Sequence, residues 1–395
     1  METPEKSKAP RASTAPGAPN DGERASPLRS RLIERIRANG PITFAAYMES
    51  CLYDPEFGYY SGAIDRRRED YYTSVDVSPA FGRLLARQLD EMWRIAGRPA
   101  AFTIVEAGAA SGRLAKHILD FSEERLGEFY AALHYAAVEI SASRRELLQA
   151  ALARHMAAGK ASSRSDLPPG VACGCIFSNE LLDALPVHRV VMTPEGLREI
   201  FVDSDGERLI ERELPPSSSE VAEFFERQGA VLRESQQAEA GLAACRWIEA
   251  AGQTLGRGYV LTVDYGHQAQ ELYDQRHMNG TLLAYSRHRA SEDYYLAPGE
   301  QDLTAHVNFT ALDLWGRVAG LELAGLTSQT KFLLGLARLN NFADLESDKW
   351  SEIEKTRASL SFQNLVNPEG MGETFHVMIQ GKGIEAAGLT GLRGL

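Results

Sequence analysis

Residues 104–120 read IVEAGAASGRLAKHILD: a short apolar run, a turn of small residues with glycines at 108 and 112, then helix formers. Such a joint turns a buried strand into a helix that must carry the chain back over the sheet. It therefore favours a parallel sheet covered on both faces. The surrounding pattern agrees. Strands are predicted at 102–106, 134–139, 172–178 and 259–264, with helices over 112–121 and 142–157. A helix near 309–319, an apolar run at 321–326 and a last strand near 373–380 follow. The alternation predicts an α/β fold.

The rhythm breaks at 187–213, VHRVVMTPEGLREIFVDSDGERLIERE, where Pro194-Glu195-Gly196 and Asp205-Gly206 separate β-rich runs. That pattern reads as an antiparallel β insertion. Before the glycine turn, residues 28–98 read as a mainly helical segment. Ser26-Pro27 is the expected first cap, and Leu28, Leu32 and Ile36 repeat along the first helix. A second helix follows Thr43, and Ser78-Pro79 opens a third with Phe81, Leu84, Leu85, Leu89, Met92 and Trp93 on one face. Phe57 to Thr73 reads as a hairpin or a long ordered loop around a solvated Arg66-Arg67-Arg68. Residues 1–27, rich in Pro, Ala, Ser and charge, are expected to be a disordered tail; 99–385 form the main domain and 386–395 a flexible end.

The chain has 395 residues, with 42 basic against 54 acidic side chains and a net charge of −12. That balance argues against a sequence-independent nucleic-acid binder. No apolar run approaches the length of about 18 residues needed to span a membrane. Cys51, Cys173, Cys175 and Cys245 lack metal-type spacing, and His267, His277 and His288 are equally unpatterned, so no metal is expected. Unpaired thiols suit a reducing cytoplasm, the expected location.

A glycine-rich turn at a helix start brings backbone N–H groups up to a ligand. A phosphate loop is excluded, because no Gly-Lys-Ser/Thr closes the motif. A nicotinamide dinucleotide would want glycine where Ala110 stands, and its ribose acid closer than Glu139, which lies 27 residues past Gly112. S-adenosylmethionine fits better. Its carboxylate needs only the small-residue turn at Gly108 and Gly112, Glu139 can receive its ribose, and Glu106 can meet its ammonium group directly or through water. A tight turn holding nothing remains the bland alternative.

Further stretches are more specific: GPITFAAYMESCLYDPEFGYY at 40–60, YYTSVDVSPAFG at 71–82, IFSNELLDALPVHR at 176–189 and QDLTAHVNFTAL at 301–312. With VEAGAASGRL and LTVDYG, in this order, they closely resemble the MidA family of S-adenosylmethionine-dependent methyltransferases. That family includes a mitochondrial complex I assembly factor acting on a protein arginine. The resemblance implies a Rossmann-like class I methyltransferase sheet, S-adenosylmethionine as cofactor and a protein substrate such as a respiratory complex I subunit. A non-catalytic assembly factor on the same fold is the alternative. The chain departs from the family at Ala109-Ala110, where alanine should remove access to positive φ. It departs again at Arg66–Asp70 and at Val75-Asp76.

Asn179 and Glu180 follow a strand at the carboxyl edge of the sheet, where ligands of open α/β folds bind. Asn179 is expected near the cofactor and Glu180 facing the acceptor, against the alternative of a helix cap. Asp183 is a candidate partner, and Asp264-Tyr265-Gly266 either line the same edge or serve a turn. The resemblance implies acceptor binding or proton handling for Asp302 and His306, and closure over the cofactor for Thr73, Ser74 and Asp76.

Overall fold

The computed structural model describes residues 26–61, 79–286, 289–347, 350–367, 371–385 and 388–393. The expected tail and the loop holding Arg66–Arg68, Thr73, Ser74 and Asp76 lie outside the described residues, Ser26 and Pro27 excepted.

Seven strands form the main sheet: β1 (Phe102–Ala107), β2 (Leu133–Val138), β3 (Ala161–Arg164), β4 (Gly174–Asn179), β5 (Gly258–His267), β6 (Glu322–Ser328) and β7 (Phe375–Lys382). Their order is β6-β7-β5-β4-β1-β2-β3, with a two-residue strand, Val307–Asn308, paired beside the end of β5. Five strands run parallel from β5 to β3, while β7 is antiparallel to both its neighbours. The antiparallel pair β6 and β7 is joined through residues 329–374, which carry the helices Gln329–Arg338 and Glu352–Val366, so the reversal at this edge is also made through helices.

Side chains alternate between two apolar layers, as a pleated strand requires. Ile104, Phe177, Leu261 and Val377 face the helices Pro79–Ile95 and Arg113–Arg125. Val105, Ile176, Val260 and Met378 face Leu242–Thr254 and Phe309–Val318. Burial on both faces explains why β4 and β5 read as continuous apolar runs.

A third core gathers Leu28, Leu32, Phe44, Tyr47 and Tyr60 with Val187, Val202 and Leu303. The β insertion is therefore larger than 187–213. Strands His188–Thr193, Gly196–Ser204 and Leu209–Leu214 are joined by Gln237–Ala240 and, from the N-terminal segment, by Ile42–Thr43. Ile42 pairs with Val202, so the first helices and the insertion form one layer beside the sheet. The helix Pro79–Ile95, by contrast, packs on the main sheet.

Two local expectations are corrected. Ser26 does not cap its helix; its hydroxyl donates instead to the Pro298 carbonyl at 2.7 Å. Residues 388–393 are docked rather than loose: the Thr390 N–H and hydroxyl donate to Glu91 at 2.9 and 2.8 Å, and the Gly391 N–H donates to Gln88 at 3.1 Å.

At Gly174 a Cβ would lie 1.9 Å from the Thr103 carbonyl oxygen, so β4 reaches β1 only without a side chain there. Gly174→Ala is expected to destabilise the fold by about 3 kcal/mol in urea denaturation. Gly127→Ala, which meets nothing within 4 Å, should stay near the wild type.

Candidate active site

The carboxyl ends of β1, β2, β4 and β5 share one edge, and the turn after β1 rises from it. That turn is left-handed at three places: Gly108 at φ 74°, Ala110 at 47° and Gly112 at 75°. Gly112 is needed twice over, since a Cβ would also press on Leu148 at 3.1 Å. The expectation for Ala110 is overturned. It does adopt positive φ, at a cost of roughly 1 kcal/mol. Its N–H donates to Glu139 Oε2 at 2.9 Å, while Glu139 Oε1 accepts from the Ser141 N–H at 2.8 Å. One carboxylate thus binds the β1 turn to the β2 turn.

Glu106 lies beneath this turn, buried, and accepts from the Tyr135 hydroxyl at 2.8 Å. Burial pushes its carboxyl up to about 7, opposed by the Tyr135 hydrogen bond and helped by the nearby Glu139 charge. It does not line the cavity above.

That cavity has a volume of about 510 Å³. Gly108, Val138, Glu139 and Ile140 form one side, with Asp166, Leu167 and Trp247 beyond them. Glu49, Tyr53 and Tyr60 from the N-terminal layer face them, and Glu180, Leu181 and Pro186 close the remaining wall. Arg144 also reaches in.

No helix begins after β4, so the cap alternative for Asn179 and Glu180 fails. Glu180 sits instead at φ 50°, with its N–H donated to the Val263 carbonyl at 3.0 Å. Asn179 Nδ2 donates to Glu180 Oε1 at 3.1 Å. Asp264 sets this turn from below. Its Oδ2 accepts from the N–H groups of Leu181 and Leu182 at 3.2 and 2.9 Å, and its Oδ1 from Tyr265 at 3.0 Å. Complete burial, then the neighbouring Asp183 and Glu180 charges, hold the Asp264 carboxyl well above the usual range. Asp183 accepts from the Tyr265 hydroxyl.

Asp302 and His306 are placed otherwise than expected, since neither lines the cavity. Asp302 is fully buried and accepts from the Tyr60 hydroxyl at 2.7 and 2.9 Å, so it acts behind Tyr60. The His306 ring packs against Tyr265 and His267, at 5.6 and 5.4 Å between centroids. Burial, then the adjacent His267 and His277, push it down to about 4, which leaves it neutral and a weak base. Among the described residues, no group of three or more His, Cys, Asp or Glu side chains could hold a metal ion.

Sequence reasoning missed Asp166 and Leu167 because β3, ASSR, is too short and polar to signal a strand. It also missed Trp247, whose helix Leu242–Thr254 went unread, and the cavity roles of Glu49, Tyr53, Tyr60 and Arg144. The i, i+4 spacing of Glu49 and Tyr53 on the helix Phe44–Tyr53 was the available clue.

The donor set fits S-adenosylmethionine. Glu139 would take the ribose hydroxyls, and the backbone from Gly108 to Gly112 would take the amino-acid carboxylate. Ile140, Leu167 and Trp247 would enclose the adenine, with Asp166 at its polar edge. Sheet order and cavity together define a class I S-adenosylmethionine-dependent methyltransferase.

The chain belongs to the family described as S-adenosyl-L-methionine-dependent methyltransferases, whose model matches residues 84–327. It is 30% identical to the Homo sapiens mitochondrial protein arginine methyltransferase NDUFAF7, covering 89% of this chain and 82% of that protein. The Rattus norvegicus counterpart is 29% identical, with 91% and 85% covered. A crystal structure of a Burkholderia thailandensis protein bound to S-adenosyl-homocysteine is similar at TM-score 0.84 and 30% identity, covering 96% of this chain and 98% of that one.

Glu139→Ala removes the ribose partner and loosens both turns. It is expected to weaken S-adenosyl-homocysteine binding by roughly ten- to a hundred-fold in calorimetry, the loss of one or two charge-assisted hydrogen bonds.

Glu106 makes a separate mark on stability. Its carboxyl is raised from 4.5 to about 7 on folding, so the folded state holds the proton more tightly. The contribution is fully present below pH 4.5 and is lost as pH rises through 7. Denaturation curves across that window should show stability falling in the wild type and a flatter profile in Glu106→Gln.

Proposed function

We propose that this protein methylates an arginine side chain of a partner protein. Glu180 carries the reading: a carboxylate at the wall of the cofactor cavity, fixed by a left-handed turn and held by Asn179. The relatives named as protein arginine methyltransferases support the choice of arginine. The MidA resemblance favours a respiratory complex I subunit as partner. The reduced cysteines favour the cytoplasm. Among the described residues no helix is long and apolar enough to cross a membrane.

S-adenosylmethionine, when bound, supplies an electrophilic methyl group on a sulfonium sulfur. Arginine is a reluctant acceptor because its guanidinium is protonated and delocalised. Glu180 answers both difficulties. Its carboxylate pairs with the guanidinium, draws the positive charge toward the nitrogens it binds so that the remaining nitrogen keeps a lone pair for the methyl group, and takes the proton that the guanidinium must shed. Asp264, through the N–H groups of Leu181 and Leu182, keeps Glu180 aimed. Tyr60, fixed by Asp302, walls the acceptor side, where exclusion of water strengthens the ion pair.

Glu180→Gln is expected to lower kcat by about a hundred-fold or more, with S-adenosyl-homocysteine affinity within a few-fold of the wild type. Mass spectrometry of the proteome with and without the gene should show one methyl-arginine mark lost. A mark lost from another residue type would overturn arginine. Turnover indifferent to Glu180→Gln would overturn its assignment. Cofactor binding with no mark lost would favour a non-catalytic assembly role.

A further inference from the structure

We infer that the face of Tyr60 is a guanidinium seat for the acceptor, and that Arg144 of the chain itself fills the seat until an acceptor displaces it. The inference rests on the arginine reading above and adds to it a named subsite and an internal competitor.

The Tyr60 ring is held from several sides. It stacks on Tyr53 with centroids 5.6 Å apart and planes 26° apart, meets Tyr59 edge-on at 5.2 Å, and donates its hydroxyl to both oxygens of buried Asp302. Donation to a carboxylate enriches the ring in electron density, which strengthens its attraction for a cation. The Arg144 guanidinium lies 5.4 Å from the ring centroid, inside the range of such contacts.

The absence of other partners is informative. Arg144 is half-buried in a cavity also lined by Glu49, Glu139, Asp166 and Glu180, yet it forms no ion pair or hydrogen bond among the described residues. Its neighbour Arg145 is anchored, donating to the carbonyls of Glu139 and Ile140 at 2.7 Å each. Among the described residues the Tyr60 ring is the one partner of the Arg144 guanidinium, so Arg144 can leave without breaking the turn that carries Glu139.

Glu49 completes the seat. It stands one helical turn before Tyr53, lines the same cavity, is exposed and has no hydrogen-bond or ion-pair partner among the described residues. An aromatic face lining the same cavity as a carboxylate with no partner among the described residues suits a planar cation that can stack and donate sideways together. A guanidinium fits that description better than an ammonium, which lacks the plane.

The test uses full-length protein saturated with S-adenosyl-homocysteine and titrated with N-acetyl-L-arginine methylamide. The neutral isostere N-acetyl-L-citrulline methylamide and the lysine analogue serve as comparisons. Arg144→Ala should bind the arginine probe about three- to ten-fold more tightly, because a competing contact of ordinary cation–π strength is gone. Glu49→Gln should bind it several-fold more weakly, and the citrulline probe should not respond to Arg144→Ala.

Unchanged or weaker arginine binding in Arg144→Ala overturns the inference. So does equal tightening for the lysine probe, or failure of the arginine probe to bind wild type and variant alike. A ten-fold fall in S-adenosyl-homocysteine affinity in Arg144→Ala would assign Arg144 to the cofactor instead. If Arg144→Ala does not fold, Arg144→Lys, which keeps the charge and loses the plane, should bind the arginine probe more tightly than the wild type. A methyl mark found on arginine with no tightening would leave the proposed function intact and remove the seat alone.

Discussion

The site hangs on a single carboxylate that faces two ways. Glu139 accepts one N–H from the turn after β1 and another from the turn after β2, so two loops separated by two helices and a strand share one anchor. Neither loop would keep its shape unaided. Ala110 is strained at positive φ, and the chain at Ser141 must clear the sheet before its helix can start. The same anion is therefore a structural tie and a ligand group, and its hydrogen bonds to backbone preorganise it for the second task.

The opposite wall uses other buried acids in the same way. Asp264 gathers three backbone N–H groups under the Glu180 turn, and Asp302 takes a tyrosine hydroxyl. Buried carboxylates are expensive unless satisfied, and here the donors are parts of the scaffold. Each acid thereby converts its desolvation into position: Asp264 fixes where Glu180 points, and Asp302 fixes the plane of Tyr60. The side chains exposed to the cavity owe their geometry to acids that never reach it.

Much of this was legible in the sequence, for physical reasons. Strands buried on both faces leave apolar runs, so β1, β2, β4 and β5 and the helices after β1 and β2 were read close to their true limits. The turn after β1 and the acid after β2 were legible because glycine and carboxylate at those joints have few other uses. β3 escaped because four residues with one buried side chain carry no periodicity. Asp302 and His306 illustrate a different limit. A motif can mark residues as important without saying whether they touch a ligand or brace one that does. Ala110 illustrates a third, since backbone strain is set by the partners of the strained N–H, and those lie far along the chain.

The walls of the cavity come from distant stretches of chain, and this orders its assembly. The cofactor side draws on residues 107–181 with Trp247, whereas Tyr60 reaches its brace only at Asp302, 242 positions later. A nascent chain leaving the ribosome can close the first half of the sheet, and with it most of the cofactor pocket, while Tyr60 still lacks the residue that orients it. The acceptor side is completed last, after the polypeptide beyond Asp302 has emerged.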